Sequence, residues 1–173
     1  MAIHNNLRVT NSRLKTSEES DFYATEPRTV YELLERESFS NEILEPCVGK
    51  GHIADVLKEK GYDVACSDLI DRNYPNTTIK DFFTYEKNNL DIITNPPYKL
   101  ATKFLKHFLE ISKPGIKIAL FLKLTFLEGI ERGKIFKNNP PKTIYVYSSR
   151  RNCARNGDFE KYKSSAVAYG WYI

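Results

Sequence analysis

Glu42-Ile43-Leu44-Glu45-Pro46-Cys47-Val48-Gly49-Lys50-Gly51-His52 decides how this 173-residue chain is read. A short apolar run ends in a carboxylate, a glycine-bearing turn follows, and Ile53 to Lys60 has the apolar spacing of a helix that stops at Gly61. Tyr62 to Ser67 then reads as a second strand. Working outward, strands are expected at Thr77–Ile79, Leu90–Thr94, Ile116–Leu122, Thr143–Tyr147 and Ala166–Ile173. Helices are expected at Pro27–Phe39, capped by Thr25, and at Lys99–Ser112 and Phe126–Phe136. Strands alternating with helices predict an α/β fold, a mainly parallel seven-stranded sheet with helices on both faces. Ligands of such sheets bind beyond the carboxyl ends of the strands. Glu45, Asp68, Asp81 and Asn95 all fall there.

Gly49 and Gly51 let the backbone approach a ligand closely, and the helix that follows offers unpaired N–H groups. The turn lacks the three spaced glycines of a dinucleotide site and the Gly-Lys-Ser/Thr of a phosphate loop. An ordinary tight turn would also account for it. Asp68, after the second strand, can accept both hydroxyls of a ribose, and Asp81-Phe82-Phe83 offers an acceptor for an amino group beside aromatic rings. Each acid alone reads more readily as a surface charge or a helix cap. Their succession at consecutive strand ends is what carries the argument.

On these residues the chain resembles the class I S-adenosylmethionine-dependent methyltransferases, with their Rossmann-like fold. Glu45-Pro46-Cys47-Val48-Gly49-Lys50-Gly51 is similar to the glycine motif of the DNA amino-methyltransferases. Phe22-Tyr23-Ala24-Thr25-Glu26-Pro27 resembles the segment that precedes it in the gamma arrangement and closes over the cofactor's methionine end. With Leu127-Glu128-Gly129, the overall pattern is similar to small phage and prophage DNA adenine methyltransferases. The resemblance implies S-adenosylmethionine as cofactor and no metal. By it, Tyr23, Thr25, Glu45, Pro46, Cys47, Gly49 and Gly51 hold the methionine part, Asp68 the ribose, and Asp81 with Phe82 the adenine, with Asn95 also lining the site.

The strand Asp91-Ile92-Ile93-Thr94 halts at Asn95-Pro96-Pro97-Tyr98, the expected catalytic loop. Two prolines fix φ and remove two N–H donors, so the loop is stiff. A rigid strand-to-helix turn would need the same residues. The chemistry asks for more: an exocyclic amino nitrogen is a poor nucleophile because its lone pair is delocalised into the ring. Accepting its two hydrogens on the Asn95 side-chain oxygen and the Pro96 carbonyl favours a pyramidal nitrogen, a gain made by positioning and charge stabilisation. Tyr98 is expected to stack on a base flipped out of a duplex. The loop also resembles that of protein glutamine and some ribosomal RNA methyltransferases, which methylate planar nitrogens too. A binding module that keeps the fold without turnover is the non-enzymatic alternative.

From Glu131 to Lys163 there are nine basic and three acidic side chains, more positive than the whole chain's formal +4. A solvated surface would look the same. The stretch 148–164, between the last two strands, carries Arg150, Arg151 and Arg155 with Asn152, Asn156 and Tyr162, and with Lys123 is expected to contact nucleic acid, duplex DNA by the resemblance. So short a recognition stretch predicts a short or loose target site, or specificity from a protein partner. Glu128 and Arg132, four apart, are expected to pair on one helix face.

Residues 1–20 read as a flexible polar arm, and 21–173 as one domain. The chain stops inside an expected strand, as one short of its natural terminus would. No apolar run could cross a bilayer and no signal peptide is legible, so a cytoplasmic protein is expected, of a bacterium or its phage by the resemblance. Three cysteines and three histidines lie far apart, without metal-ligand spacing. Cys66 is expected in the core, and Cys153 exposed and without a role.

Overall fold

The structure, a computed structural model, describes residues 22–155, 157–161 and 165–173. The expected polar arm, Asn156 and Tyr162 lie outside the described residues.

Among the described residues, nine strands and four helices follow in the order β1 (Tyr23–Thr25), α1 (Pro27–Leu34), β2 (Glu42–Glu45), α2 (His52–Glu59), β3 (Asp63–Asp68), β4 (Thr78–Ile79), β5 (Asp91–Thr94), α3 (Ala101–Ile111), β6 (Ile118–Lys123), α4 (Ile130–Asn138), β7 (Ile144–Val146), β8 (Cys153–Arg155) and β9 (Tyr169–Tyr172). Short 3-10 turns lie at Phe82–Thr84 and Leu124–Leu127. Seven strands form one sheet in the order β4-β3-β2-β5-β6-β9-β7. Pairing is parallel from β4 to β6, and β9 runs antiparallel to both of its neighbours. The expected α/β architecture is what forms.

The central strands are apolar on both faces, and alternation along them divides the core in two. Ile43, Ile93, Ala119, Phe121 and Trp171 meet α1 and α2 through Val30, Leu33, Ile53, Val56 and Leu57. Leu44, Ile92, Leu120, Leu122 and Tyr172 point the other way, onto Ala101, Phe104, Phe108 and Ile111 of α3. Trp171 is wholly buried, and its indole N–H donates to Thr29 O at 3.0 Å, tying β9 to α1. Trp171→Ala is expected to cost about 3–5 kcal/mol in urea unfolding, from the cavity and the orphaned carbonyl. A loss below about 1 kcal/mol would contradict this account of the core.

Three local expectations need correction. α1 starts at Pro27, but its cap is Glu26, because Thr25 belongs to β1; it ends at Leu34, not Phe39. Beyond it Glu37 leaves the helix to accept from Lys117 Nζ and Tyr145 Oη, both at 2.7 Å, and Ser40 N donates to Asp91. The segment expected as the helix Phe126–Phe136 is broken by Gly129 at φ +104°, so α4 starts only at Ile130. Glu128 is therefore outside the helix, and Arg132 donates to Phe126 O at 2.7 Å instead of pairing with it.

The largest correction is β1 with β8. Neither was expected as a strand, yet Tyr23, Ala24 and Thr25 pair antiparallel with Arg155, Ala154 and Cys153. Part of the stretch expected as a DNA-contacting loop thus folds back onto the segment before α1. Among the described residues no helix is long and apolar enough to cross a membrane.

Candidate active site

One cavity opens at the carboxyl ends of β2, β3 and β5 and is roofed by the β1 segment. Tyr23, Thr25, Glu45, Pro46, Cys47, Asp68, Asp81, Phe82, Asn95, Pro97 and Tyr98 all line it, so residues spread over 76 positions of sequence meet at one place.

The glycine turn is built as its residues require. Gly49 and Gly51 have φ of +58° and +86°, the left-handed region that disfavours a side chain. The Phe22 ring lies against Gly49 and the Tyr74 ring against Gly51, where a Cβ would stand. Asp68 secures the turn: Oδ2 accepts from Gly49 N at 2.9 Å and Oδ1 from Ile70 N at 3.0 Å. An ionised carboxylate has about four acceptor positions, so two remain for hydroxyl groups.

Glu45 is 1% exposed, and its Oε2 has no partner. Burial, with repulsion from Asp68, holds the carboxyl well above the usual carboxylate range, while the Ala54 backbone N–H favours its charged form. An orphaned carboxyl oxygen beside a cavity fits a cationic ligand group, such as the ammonium of an amino acid. Its raised pKa has a consequence for stability. The folded chain keeps the proton that the unfolded chain gives up near 4.5, so stability is lost as pH rises from there towards the folded value. Glu45→Gln is expected to remove that loss, so its melting temperature should gain on the wild type's between pH 5 and pH 8. A constant difference would contradict the assignment.

Asp81 caps the 3-10 turn, Oδ1 accepting from Phe83 N at 3.0 Å. Phe82 was expected to cover a base, but it is 3% exposed and stacked on Phe104 at 4.7 Å, part of the α3 core. The exposed rim belongs to Phe83, Leu69 and Leu100, at 39%, 64% and 38%. Sequence reading missed Leu69 and Leu100. Directly following Asp68 and Tyr98-Lys99, they show a signal only once the strand ends are known.

Asn95 is the most constrained polar group. Its Nδ2 donates to Tyr23 O at 3.0 Å and to Thr25 Oγ1 at 2.9 Å. A backbone carbonyl only accepts, so the amide nitrogen must face Tyr23 and both of its hydrogens are used. Oδ1 is buried and has no partner. In the turn beyond it, Leu100 N and Ala101 N donate to the carbonyls of Pro97 and Tyr98 and not to that of Pro96.

Tyr98 is packed into an aromatic cluster. Its hydroxyl donates to Cys153 Sγ at 2.9 Å, and its ring lies between Tyr23 and Tyr169, at 5.8 and 5.7 Å, with Lys123 Nζ 4.8 Å from the centroid. Cys153, expected to be exposed, is instead central to this cluster, a position only the β1–β8 pairing reveals.

The basic residues scatter. Arg150 is exposed. Arg155 is half-buried in β8 opposite Tyr23. Arg151 forms a two-pronged pair with Glu32 at 2.7 and 3.1 Å and covers the Tyr147 ring, clamping the insertion to α1. Cys66 is buried in the core as expected. Among the described residues no group of three or more His, Cys, Asp or Glu could hold a metal ion.

This strand order, with the cavity beyond the strand ends, defines the Rossmann-like fold of the class I methyltransferases. Solved structures sharing it include the 23S rRNA methyltransferase ErmE (TM-score 0.56, 15% identity, 87% of this chain and 67% of that one) and a dimethyladenosine transferase from Plasmodium falciparum (0.56, 11%, 85% and 60%). A protein assigned as the modification subunit of a type I restriction enzyme from Vibrio vulnificus is also similar (0.58, 12%, 90% and 45%). The chain thus spans less than half of that subunit and about two thirds of ErmE. No protein-family model matches the sequence, and no curated protein does.

Proposed function

We propose that the chain transfers the methyl group of S-adenosylmethionine to the exocyclic amino nitrogen of a nucleic-acid base, and we assign adenine N6 in DNA as the acceptor. The observation that carries this reading is Asn95: both amide hydrogens are held by β1, leaving a single unpartnered acceptor beside the cavity. That is the group needed to draw a hydrogen from a planar amino nitrogen and favour its lone pair.

When bound, S-adenosylmethionine supplies a sulfonium methyl as electrophile. Glu45 would take its ammonium, Asp68 its ribose hydroxyls and Asp81 its adenine amino group, with Phe83, Leu69 and Leu100 against the base. Asn95 Oδ1 and the Pro96 carbonyl would accept the two hydrogens of the acceptor nitrogen and so orient it, and the proton lost on methylation would pass to solvent. None of this asks for a histidine base. In a duplex the adenine must first leave the stack, at a cost of a few kcal/mol.

An RNA acceptor is the second reading, favoured by the ribosomal RNA enzyme that shares the fold. Radiolabelled cofactor offered in parallel to duplex DNA, RNA and protein separates the two, and a nucleoside digest should show N6-methyladenine. Label in RNA alone would replace the DNA assignment; label in protein alone would overturn the reading. Binding without transfer would favour an inactive module. If DNA is methylated, a short or loose target context is expected, or one set by a protein partner.

A further inference from the structure

Cys153 opens β8, on the insertion after β7, yet it touches both polar side chains of the catalytic loop. Tyr98 Oη donates to its sulfur at 2.9 Å, and Asn95 Nδ2 lies 3.9 Å from the same atom. Its backbone pairs with that of Thr25, whose hydroxyl accepts from Asn95. Three consecutive features of the β1–β8 ribbon, the Tyr23 carbonyl, the Thr25 hydroxyl and the Cys153 sulfur, thus surround one amide nitrogen. Without them the Asn95 side chain could rotate, and Oδ1 would lose its direction.

Burial pushes the Cys153 thiol up to about 12, so the sulfur is a neutral S–H. A neutral, polarisable sulfur can accept from Tyr98 without adding a charge to the buried cluster of Tyr23, Tyr98 and Tyr169. Tyr98, held by its hydroxyl, in turn fills the space beside Asn95 between Tyr23 and Tyr169.

We infer that Cys153 is a positioning residue for methyl transfer, acting through the Tyr98 hydroxyl to hold the Asn95 acceptor in its reactive orientation. The inference rests on the proposed reaction. It also makes the insertion a working part of the catalytic loop: whatever binds the stretch around Arg150 and Arg155 acts directly on the strand that orients Asn95.

A double-mutant cycle tests it, with Cys153→Ala, Tyr98→Phe and their combination assayed on the acceptor that the wild-type chain methylates. Both single changes remove the Tyr98–Cys153 hydrogen bond, and Cys153→Ala also removes the contact of Asn95 with the sulfur, so Cys153→Ala should lower kcat about tenfold, Tyr98→Phe somewhat less, and the pair no further than Cys153→Ala alone. Cofactor affinity, read by calorimetry, should stay within about twofold, since neither side chain is assigned to bind the cofactor tightly. Cys153→Ser, which restores an acceptor, should recover most of the lost kcat. Additive losses would overturn the inference, as would a Cys153→Ala defect seen only in melting temperature and cofactor affinity, or no recovery in Cys153→Ser. If the wild-type chain methylates no nucleic acid, the proposed function itself falls and takes this inference with it; additive losses in an active enzyme remove the inference alone.

Discussion

Asn95→Ala is expected to lower kcat about a thousandfold while cofactor affinity changes by less than about tenfold, the scale seen when one prepositioned polar group is taken from a transition state. The reason is in the bonding. The alanine variant loses the unpartnered Oδ1 and leaves the Tyr23 carbonyl and Thr25 hydroxyl to each other, while Glu45, Asp68 and Asp81 remain in place. Asn95→Asp is expected to be nearly as damaging in this chain, although it keeps the shape: a carboxylate has no hydrogen for the Tyr23 carbonyl, and two acceptors would face each other. Calorimetry and single-turnover transfer on the same variants measure the two effects separately. Transfer near wild-type rate by the alanine variant would remove Asn95 from the mechanism.

Asp68→Ala is expected to have the second largest effect, on the cofactor. On the proposed cofactor assignment, two hydrogen bonds from Asp68 to ribose hydroxyls would contribute about 3 kcal/mol together, or roughly a hundredfold in Kd. The change also frees Gly49 N and Ile70 N, which Asp68 now holds, so the glycine turn loses its brace. Asp68→Asn, which keeps one oxygen, should fall between wild type and alanine. An unchanged Kd in both variants would show that the ribose does not sit at the end of β3.

The two predictions act on opposite halves of one cavity, and the β1–β8 ribbon joins them. Phe22 lies on the glycine turn, Tyr23 and Thr25 hold Asn95, and Cys153 holds Tyr98. His52, first residue of α2, adds a link: its ring meets Phe22 at 6.0 Å and Phe159 of the insertion at 5.6 Å. The glycine turn and the Asn95 loop therefore share a two-stranded roof, and neither should order independently of the other.

The repeating unit of strand, turn and helix was legible because each element follows from local rules. Apolar runs such as Ile92-Ile93 and Ala119 to Leu122 bury both faces of a strand, glycines at positive φ permit the turn before α2, and Pro27 starts α1. Once the strand ends are placed, the chemistry at those ends follows, and Glu45, Asp68, Asp81 and Asn95 do converge.

What the sequence could not determine depends on partners far along the chain. β1 and β8 are each three residues long, too short for a periodic signal, and they form because they pair with each other across more than a hundred residues. Separations of 55, 119 and 22 residues likewise hide Cys153 at Tyr98, Arg151 at Glu32 and Phe82 on Phe104, contacts that only folding creates. Local patterning thus determined the sheet, its helices and the polar groups at the strand ends. Tertiary structure alone decided which of those groups are left with an open hydrogen-bonding position, because that is settled by what every other atom in the fold has already claimed.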